Sequence, residues 1–357
     1  MSDESAKSYA RPVRAVVYDE FSGPLRVTEV PDPVPPPGGV VLKVGAAGLC
    51  RSDWHAWRGL DDVGALPHVP GHEFAGVVSA VDSGVTRWRV GDRVTVPFVC
   101  ACGSCRVCES GEHQVCPHQW QPGFDGWGGF AEFVALPAAD TNLVALPPTM
   151  PMTAAAGLGC RLATAYRAVA VVGRATPGDE VVIHGAGGVG LAAVSVARAM
   201  GGRVTVVDPS PQARELARSL GAAHTLDPSE GALVDRLREA TDGGPSLSVE
   251  AVGSVEACRA SVSSLRPRGR HVQVGLLPPS ETTEPVPMHE VIARELQVLG
   301  SHGMSAAYYS DLLALIAQGR LRPDLLVTSV IGLDDVPDAM TRIGQPDQPA
   351  GITVIVP

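Results

Sequence analysis

The segment His184-Gly185-Ala186-Gly187-Gly188-Val189-Gly190 constrains the fold of this chain more than any other. It joins an apolar run that reads as a strand, Glu180 to His184, to a run with helical periodicity, Val189 to Met200. A strand turning into a helix through Gly-x-Gly-x-x-Gly needs Gly185 for the tight turn. It needs Gly187 so that backbone can approach a pyrophosphate, and Gly190 so that helix and strand can pack closely. The helix start, Gly188 and Val189, then offers free N–H groups and the positive end of a dipole to phosphate. Such turns are common, so the motif alone is weak. Asp208 adds weight by ending the next predicted strand, about 20 residues beyond the turn. A carboxylate there accepts hydrogen bonds from ribose hydroxyls and repels a 2′-phosphate, which favours NAD over NADP. The other reading of Asp208 is a turn or N-cap aspartate in a nucleotide-free α/β domain.

The pattern around the turn is of one kind. Strands are predicted at Arg203 to Asp208, Ser246 to Ala251, Arg270 to Val274 and Gln297 to Ser301. Helices are predicted at Ala154 to Val172, Pro211 to Leu220, Val255 to Leu265 and Ser305 to Gln318. This alternation predicts an α/β domain with a doubly wound parallel sheet. Before about residue 155 the chain reads as short strands: Val13 to Tyr18, Leu25 to Val30, Val40 to Val44, Phe74 to Val81 and Arg93 to Val96. The strand-like tail, Gly351 to Val356, is expected to return to this β-rich part.

Five of the eight cysteines fall between Cys100 and Cys116. Cys102, Cys105, Cys108 and Cys116 follow a C-x2-C-x2-C-x7-C pattern, which can close on one tetrahedral zinc with no open position, hence a structural site. An iron–sulfur cluster or a nucleic-acid-binding zinc ribbon are the alternatives. The net charge of −10 speaks against the ribbon and against anionic membranes. Residues Met1 to Pro12 are polar and no run of about 18 apolar residues occurs, so neither a secretory peptide nor a membrane span is expected. A cytoplasmic location follows, where thiols bind metal more readily than they pair.

A second set of ligands is scattered: Cys50 in Gly48-Leu49-Cys50-Arg51-Ser52-Asp53-Trp54-His55, His72 and Glu73 in Pro70-Gly71-His72-Glu73-Phe74, and Cys160 in Gly159-Cys160-Arg161. Two thiolates and an imidazole leave a fourth position open, the mark of a catalytic zinc. Taken singly, each of these residues is more often a buried apolar cysteine or a turn histidine.

Together these motifs resemble the zinc-containing medium-chain alcohol dehydrogenases over nearly the whole length. The resemblance implies a GroES-like β-rich catalytic domain, residues 1–158 and 302–357 with a four-cysteine lobe at about 98–120, and a Rossmann NAD-binding domain at 159–301. It implies two zinc ions per chain, NAD, a small alcohol or carbonyl substrate, and a homodimer or homotetramer. Cys50, His72 and Cys160 match the catalytic zinc ligands, and Glu73 a carboxylate that can bind that zinc transiently. Ser52 matches the hydroxyl that bonds the substrate oxygen, and His55 the far end of a proton relay. Asp53 matches the carboxylate that orients His72, and Arg51 a contact to the pyrophosphate. Two departures stand out. Ser52 replaces a frequent threonine, and Ile352 stands where many members carry a pyrophosphate-binding arginine.

The reading is therefore an NAD-dependent zinc alcohol dehydrogenase acting on a primary or secondary alcohol. Trp54, Trp57, Phe98 and Trp120 are expected to supply an apolar substrate wall. A polyol dehydrogenase on the same scaffold would want more polar lining. A zinc-independent quinone or enoyl reductase would lack both cysteine sets, and a non-catalytic zinc- and nucleotide-binding redox sensor would need no proton relay.

Overall fold

A computed structural model describes residues 12–277, 284, 286–345 and 349–357. The polar start read above, Met1 to Arg11, lies outside them.

The first strands, β1 (Val13–Val17) and β2 (Arg26–Val30), form an antiparallel hairpin. A larger sheet follows: β3 (Val40–Leu49), β4 (Phe74–Val81), β5 (Arg93–Thr95), β6 (Phe133–Leu136) and β7 (Val144–Ala145). β3 is buried along most of its length and is the hub of this sheet, pairing with both β4 and β6. Two irregularities in the β3–β4 ladder, at Val41/Leu42 and Val44/Ala46, bend the pair, as bulges do.

β8 (Glu180–His184), β9 (Arg203–Val207), β10 (His224–Leu226), β11 (Leu247–Glu250), β12 (Arg270–Gln273) and β13 (Gln297–Gly300) make a wholly parallel sheet. Its order is β10-β9-β8-β11-β12-β13. The chain thus reverses direction of winding between β8 and β11, the point in an open α/β sheet where ligands bind at the strands' carboxyl ends. The helices Gly188–Ala199, Pro211–Ser219, Leu233–Ala240 and Val255–Ser264 connect these strands. Ser210 and Ser254 cap two of them, accepting from the N–H of Ala213 and Ala257.

The tail returns as expected. β15 (Ile352–Val356) runs antiparallel to β3, with Thr353 opposite Leu49, and parallel to β14 (Val327–Gly332) on its other side. One expectation needs correction. The alanine-rich run from Ala154 to Val172 is not a single helix. Met152–Ala156 stops at Gly157, the chain kinks at Cys160 (φ −128°, ψ −76°), and a new helix starts at Arg161 and widens into a π turn over Arg167–Val172. Glycines at 157 and 159 release the helix there despite the alanines around them. Among the described residues no helix is long and apolar enough to cross a membrane.

Candidate functional site

The β3–β4 register builds the first half of the site. Ala47 pairs with Phe74, so the end of β3 and the start of β4 lie side by side. Cys50 follows β3 directly, and His72 and Glu73 precede β4 directly. Cys160 arrives from the kink between two helices, pinned by the Phe98 N–H donating to the Gly159 carbonyl at 2.9 Å. The Sγ atoms of Cys50 and Cys160 and a ring nitrogen of His72 all lie within 4.8 Å of one another.

Asp53 organises two of these three ligands. It is fully buried on the helix Arg51–Trp57. Its Oδ2 accepts from the Cys50 N–H at 3.0 Å, and its Oδ1 from the Gly71 N–H at 3.1 Å. Oδ1 also lies 2.8 Å from Nδ1 of His72, which fixes the ring and turns Nε2 toward the thiols. That Nε2 is buried with no protein partner. A buried ring nitrogen without a protein partner, beside two thiols, is a donor set suited to a metal ion. Burial works against a charged His72, but Asp53 and Cys50 outweigh it and hold its pKa well above the usual range. A hydrogen bond from Cys160 lowers the pKa of Cys50 strongly, against its burial.

Glu73 does not join this ligand group. It is fully buried, and Arg161 holds it in two places, with the backbone N–H donating to Oε1 and Nε donating to Oε2, both at 2.7 Å. The motif around Cys160 assigns Arg161 no task of its own. Its signal was there: it is the only charged residue between Asp140 and Arg167, and a lone charge in an apolar stretch has to be paired.

The four lobe thiols form a second group. Four of the Sγ pairs are separated by 3.5 Å (Cys105–Cys108) to 3.9 Å (Cys102–Cys108), and all four atoms lie within 4.8 Å of one another. One tetrahedral zinc with bonds of about 2.3 Å needs sulfurs about 3.8 Å apart. The group fits a single ion and is too tight for a multi-iron cluster. The N–H and hydroxyl of Ser104 lower Cys102 to about 6, while burial pushes Cys108 up to about 12. Cys100 stays outside, buried in the neighbouring apolar core.

At the glycine turn, Gly185 has φ +91°, Gly187 has open space where a side chain would stand, and a Cβ on Gly190 would collide with the Gly185 carbonyl. Gly185 thus makes the tight turn, Gly187 leaves the backbone open, and Gly190 lets helix and strand pack closely. Asp208 faces this turn. Its Oδ2 accepts from the Ala186 N–H at 2.7 Å and its Oδ1 from the Ser210 N–H at 2.8 Å. Arg214, the nearby cation, is occupied by the Asp208 and Pro209 carbonyls and by Asp227 at 2.9 Å.

A cavity of about 420 Å³ connects the two regions, with Ser52, His72, Phe98, Cys160, Val189 and Val274 in its wall. Ser52 and His55 lie three residues apart on one helix face, with His55 3.9 Å from Asp61 at the cavity rim. Arg51, at the exposed start of the same helix, makes no ion pair among the described residues. The expected aromatic wall needs correction. Only Phe98 of the four lines the cavity, joined by Phe124. Trp57 is buried in the β-domain core with its indole N–H on the Gly23 carbonyl, and Trp54 and Trp120 pack against that core. Asp61, Asp62, Gln121, Asp125 and His302 line the cavity instead. Ile352 is buried in the apolar core, as its side chain requires.

A Cys–His–Cys group and a dinucleotide turn at one cavity, with a separate four-thiol group in the lobe, fit a metal-dependent oxidoreductase. Comparison with known proteins gives the same answer. Residues 36–148 match the alcohol dehydrogenase GroES-like domain, and 188–318 the zinc-binding dehydrogenase domain. An alcohol dehydrogenase of Geobacillus stearothermophilus is 35% identical over 92% of this chain and 96% of its own. A sorbitol dehydrogenase of Halalkalibacterium halodurans is 33% identical over 86% of this chain and 89% of its own. The solved alcohol dehydrogenase of Thermus sp. ATN1 superposes with a TM-score of 0.87 at 32% identity, over 96% and 99% of the two chains. The chain belongs to the zinc-dependent alcohol dehydrogenase family, oxidoreductases that transfer a hydride between an alcohol carbon and a nicotinamide cofactor.

Proposed function

We propose that this protein oxidises a primary or secondary alcohol with NAD, or reduces the matching carbonyl, with residues 1–158 and 302–357 as the catalytic part and 159–301 as the NAD-binding part. The observation that carries the reading is the unpartnered Nε2 of His72 beside Cys50 and Cys160, at the wall of a cavity that also holds Ser52. Cys50, His72 and Cys160 would hold the catalytic zinc, Cys102, Cys105, Cys108 and Cys116 the structural one, and the turn Gly185 to Gly190 with Asp208 and Arg51 the dinucleotide. When bound, zinc supplies Lewis acidity to the alcohol oxygen and NAD accepts the hydride.

The chain's own residues manage the proton. Ser52 takes it at its hydroxyl from the substrate, and His55, one helical turn further toward solvent, releases it. Asp53 keeps His72 in the right tautomer. Asp208 selects NAD, because a 2′-phosphate beside it would meet a carboxylate and Arg214 is already engaged. A cytoplasmic homodimer or homotetramer fits the family and the acidic chain.

A second reading concerns the substrate. Three carboxylates and a glutamine in the cavity wall, with no lysine or arginine among the described residues there, favour a polyol over a plain aliphatic or aromatic alcohol. Purified protein assayed with NAD against 1-hexanol, benzyl alcohol and sorbitol, following the absorbance of the reduced cofactor, decides both points. Turnover of none of them, with two zinc ions present, refutes the dehydrogenase reading. A higher kcat/KM for 1-hexanol or benzyl alcohol than for sorbitol refutes the polyol one.

A further inference from the structure

Arg161 is 4% exposed and shares its ion pair with a fully buried carboxylate, Glu73. A guanidinium has five N–H donors. Only Nε makes a hydrogen bond to Glu73, the second contact of that carboxylate being the Arg161 backbone N–H. Nη2 stands in ion-pair contact with the same carboxylate on the side of Gly48, and Nη1, on the side of Gly188, makes no hydrogen bond among the described residues. The Nη1 donors of this buried arginine are therefore open to a partner that the described residues do not supply.

The position of that end names the partner's chemistry. The Arg161 side chain runs against Gly188, the first residue of the helix Gly188–Ala199. A Cβ on Gly188 would collide with Cδ of Arg161 and stand 3.3 Å from Nη1. Immediately before it, at Gly187, the space is open. The start of this 12-residue helix already favours an anion through its free N–H groups and dipole. A buried arginine whose Nη1 stands beside the same place is a second, independent reason for an anion there. The opposite side of the guanidinium also leaves no room for a Cβ on Gly48, whose place is taken by Glu73 and Nη2. Two glycines on different domains are thus shaped around one side chain.

We propose that Arg161 binds the pyrophosphate of the dinucleotide through its Nη end, while its Nε and backbone N–H hold Glu73 away from Cys50, His72 and Cys160. One residue then serves both halves of the site, and Glu73 sets how much positive charge reaches the phosphates. This rests on the reading of the turn as a dinucleotide site. Ile352 leaves β15 without a cation, and Arg161 supplies one from another element.

The test is binding, measured on zinc-loaded protein by fluorescence titration with NADH, and by competition with ADP-ribose and with adenosine. Glu73→Gln, which frees the guanidinium from its counter-charge, is expected to bind NADH and ADP-ribose several-fold more tightly than the parent. Arg161→Met combined with Glu73→Gln leaves no buried charge unpaired. It is expected to bind NADH and ADP-ribose about 10–100-fold more weakly than Glu73→Gln alone, with adenosine unchanged and zinc content intact. Equal NADH and ADP-ribose affinities in Glu73→Gln and the double variant overturn the proposal. So does an equal loss for adenosine, which would mark a purely structural role. If the parent itself fails to bind NADH, the dinucleotide reading falls instead.

Discussion

Replacing Asp53 by Asn tests how far one side chain organises the open metal group. The carboxylate serves three groups: the Cys50 N–H on Oδ2, and the Gly71 N–H and His72 Nδ1 on Oδ1. An amide keeps one acceptor oxygen. With that oxygen toward Gly71 and His72, its NH2 faces the Cys50 N–H, donor against donor. Turned the other way, the amide strands both the Gly71 N–H and Nδ1–H. Asp53 and His72 are fully buried and Cys50 half-buried, which leaves water little room to repair either arrangement. The milder flip leaves one buried donor unsatisfied, costing about 1–3 kcal/mol, and removes the negative charge behind His72. Loss of such a carboxylate behind a ligand typically weakens metal binding by about 10–100-fold, or about 1.4–2.7 kcal/mol, a cost of the same size. Competition with a chromophoric chelator should show one of two zinc ions released about 10–100-fold more readily, with the four-cysteine zinc unmoved. If Asp53→Asn holds both ions as tightly as the parent, Asp53 does not orient His72 toward a metal, and the account of the site fails.

The other predictions follow from the same geometry. Ser52→Ala should lose about 10²–10⁴-fold in turnover with zinc content and NADH binding intact, while His55→Gln should lose only about tenfold and recover with added imidazole; near-full activity of Ser52→Ala would disprove the relay. Cys105→Ala leaves three thiols around an ion that contributes folding energy, so it should melt well below the parent; an unchanged melting curve would mean the lobe carries no structural metal. Asp208→Gly should narrow the preference for NAD over NADP in kcat/KM, and a parent already more efficient with NADP would refute the assignment.

What could be read from the sequence, and what could not, divides along physical lines. The four lobe cysteines sit within one short segment, so their meeting needs no tertiary information. The glycine turn is equally local, since its strand, glycines and helix are contiguous. Cys50, His72 and Cys160 are different. Residue type marks them as possible ligands, but their meeting depends on the β3–β4 register and on a helix that breaks at Cys160, and only the family resemblance pointed to it. β10, the helix Leu233–Ala240 and β14 were missed. β10 is three residues of intermediate exposure at a sheet edge, and the burial of β14 alternates between intermediate and exposed, so neither presents an apolar run. The helix carries charges on most of its surface and buries only Leu237.

The tryptophans were misplaced for a related reason. Aromatic content near a cysteine lobe says that surface will be buried, not which side will bury it. On the helix Arg51–Trp57 the period of 3.6 settles the matter. Trp57 lies on the turn that faces the core, while Ser52 faces the cavity. A Trp57→Ala change should therefore act mainly on stability, because it empties core volume behind the helix that carries Ser52, Asp53 and His55. Arg161 shows the converse. Its setting is apolar, its neighbours are alanines and leucines, and its charge is costly there unless a partner waits. An unexplained charge in an apolar stretch says more about a site than an aromatic beside one, because burying a charge has a cost that only a partner offsets, whereas a buried ring needs nothing beyond the core.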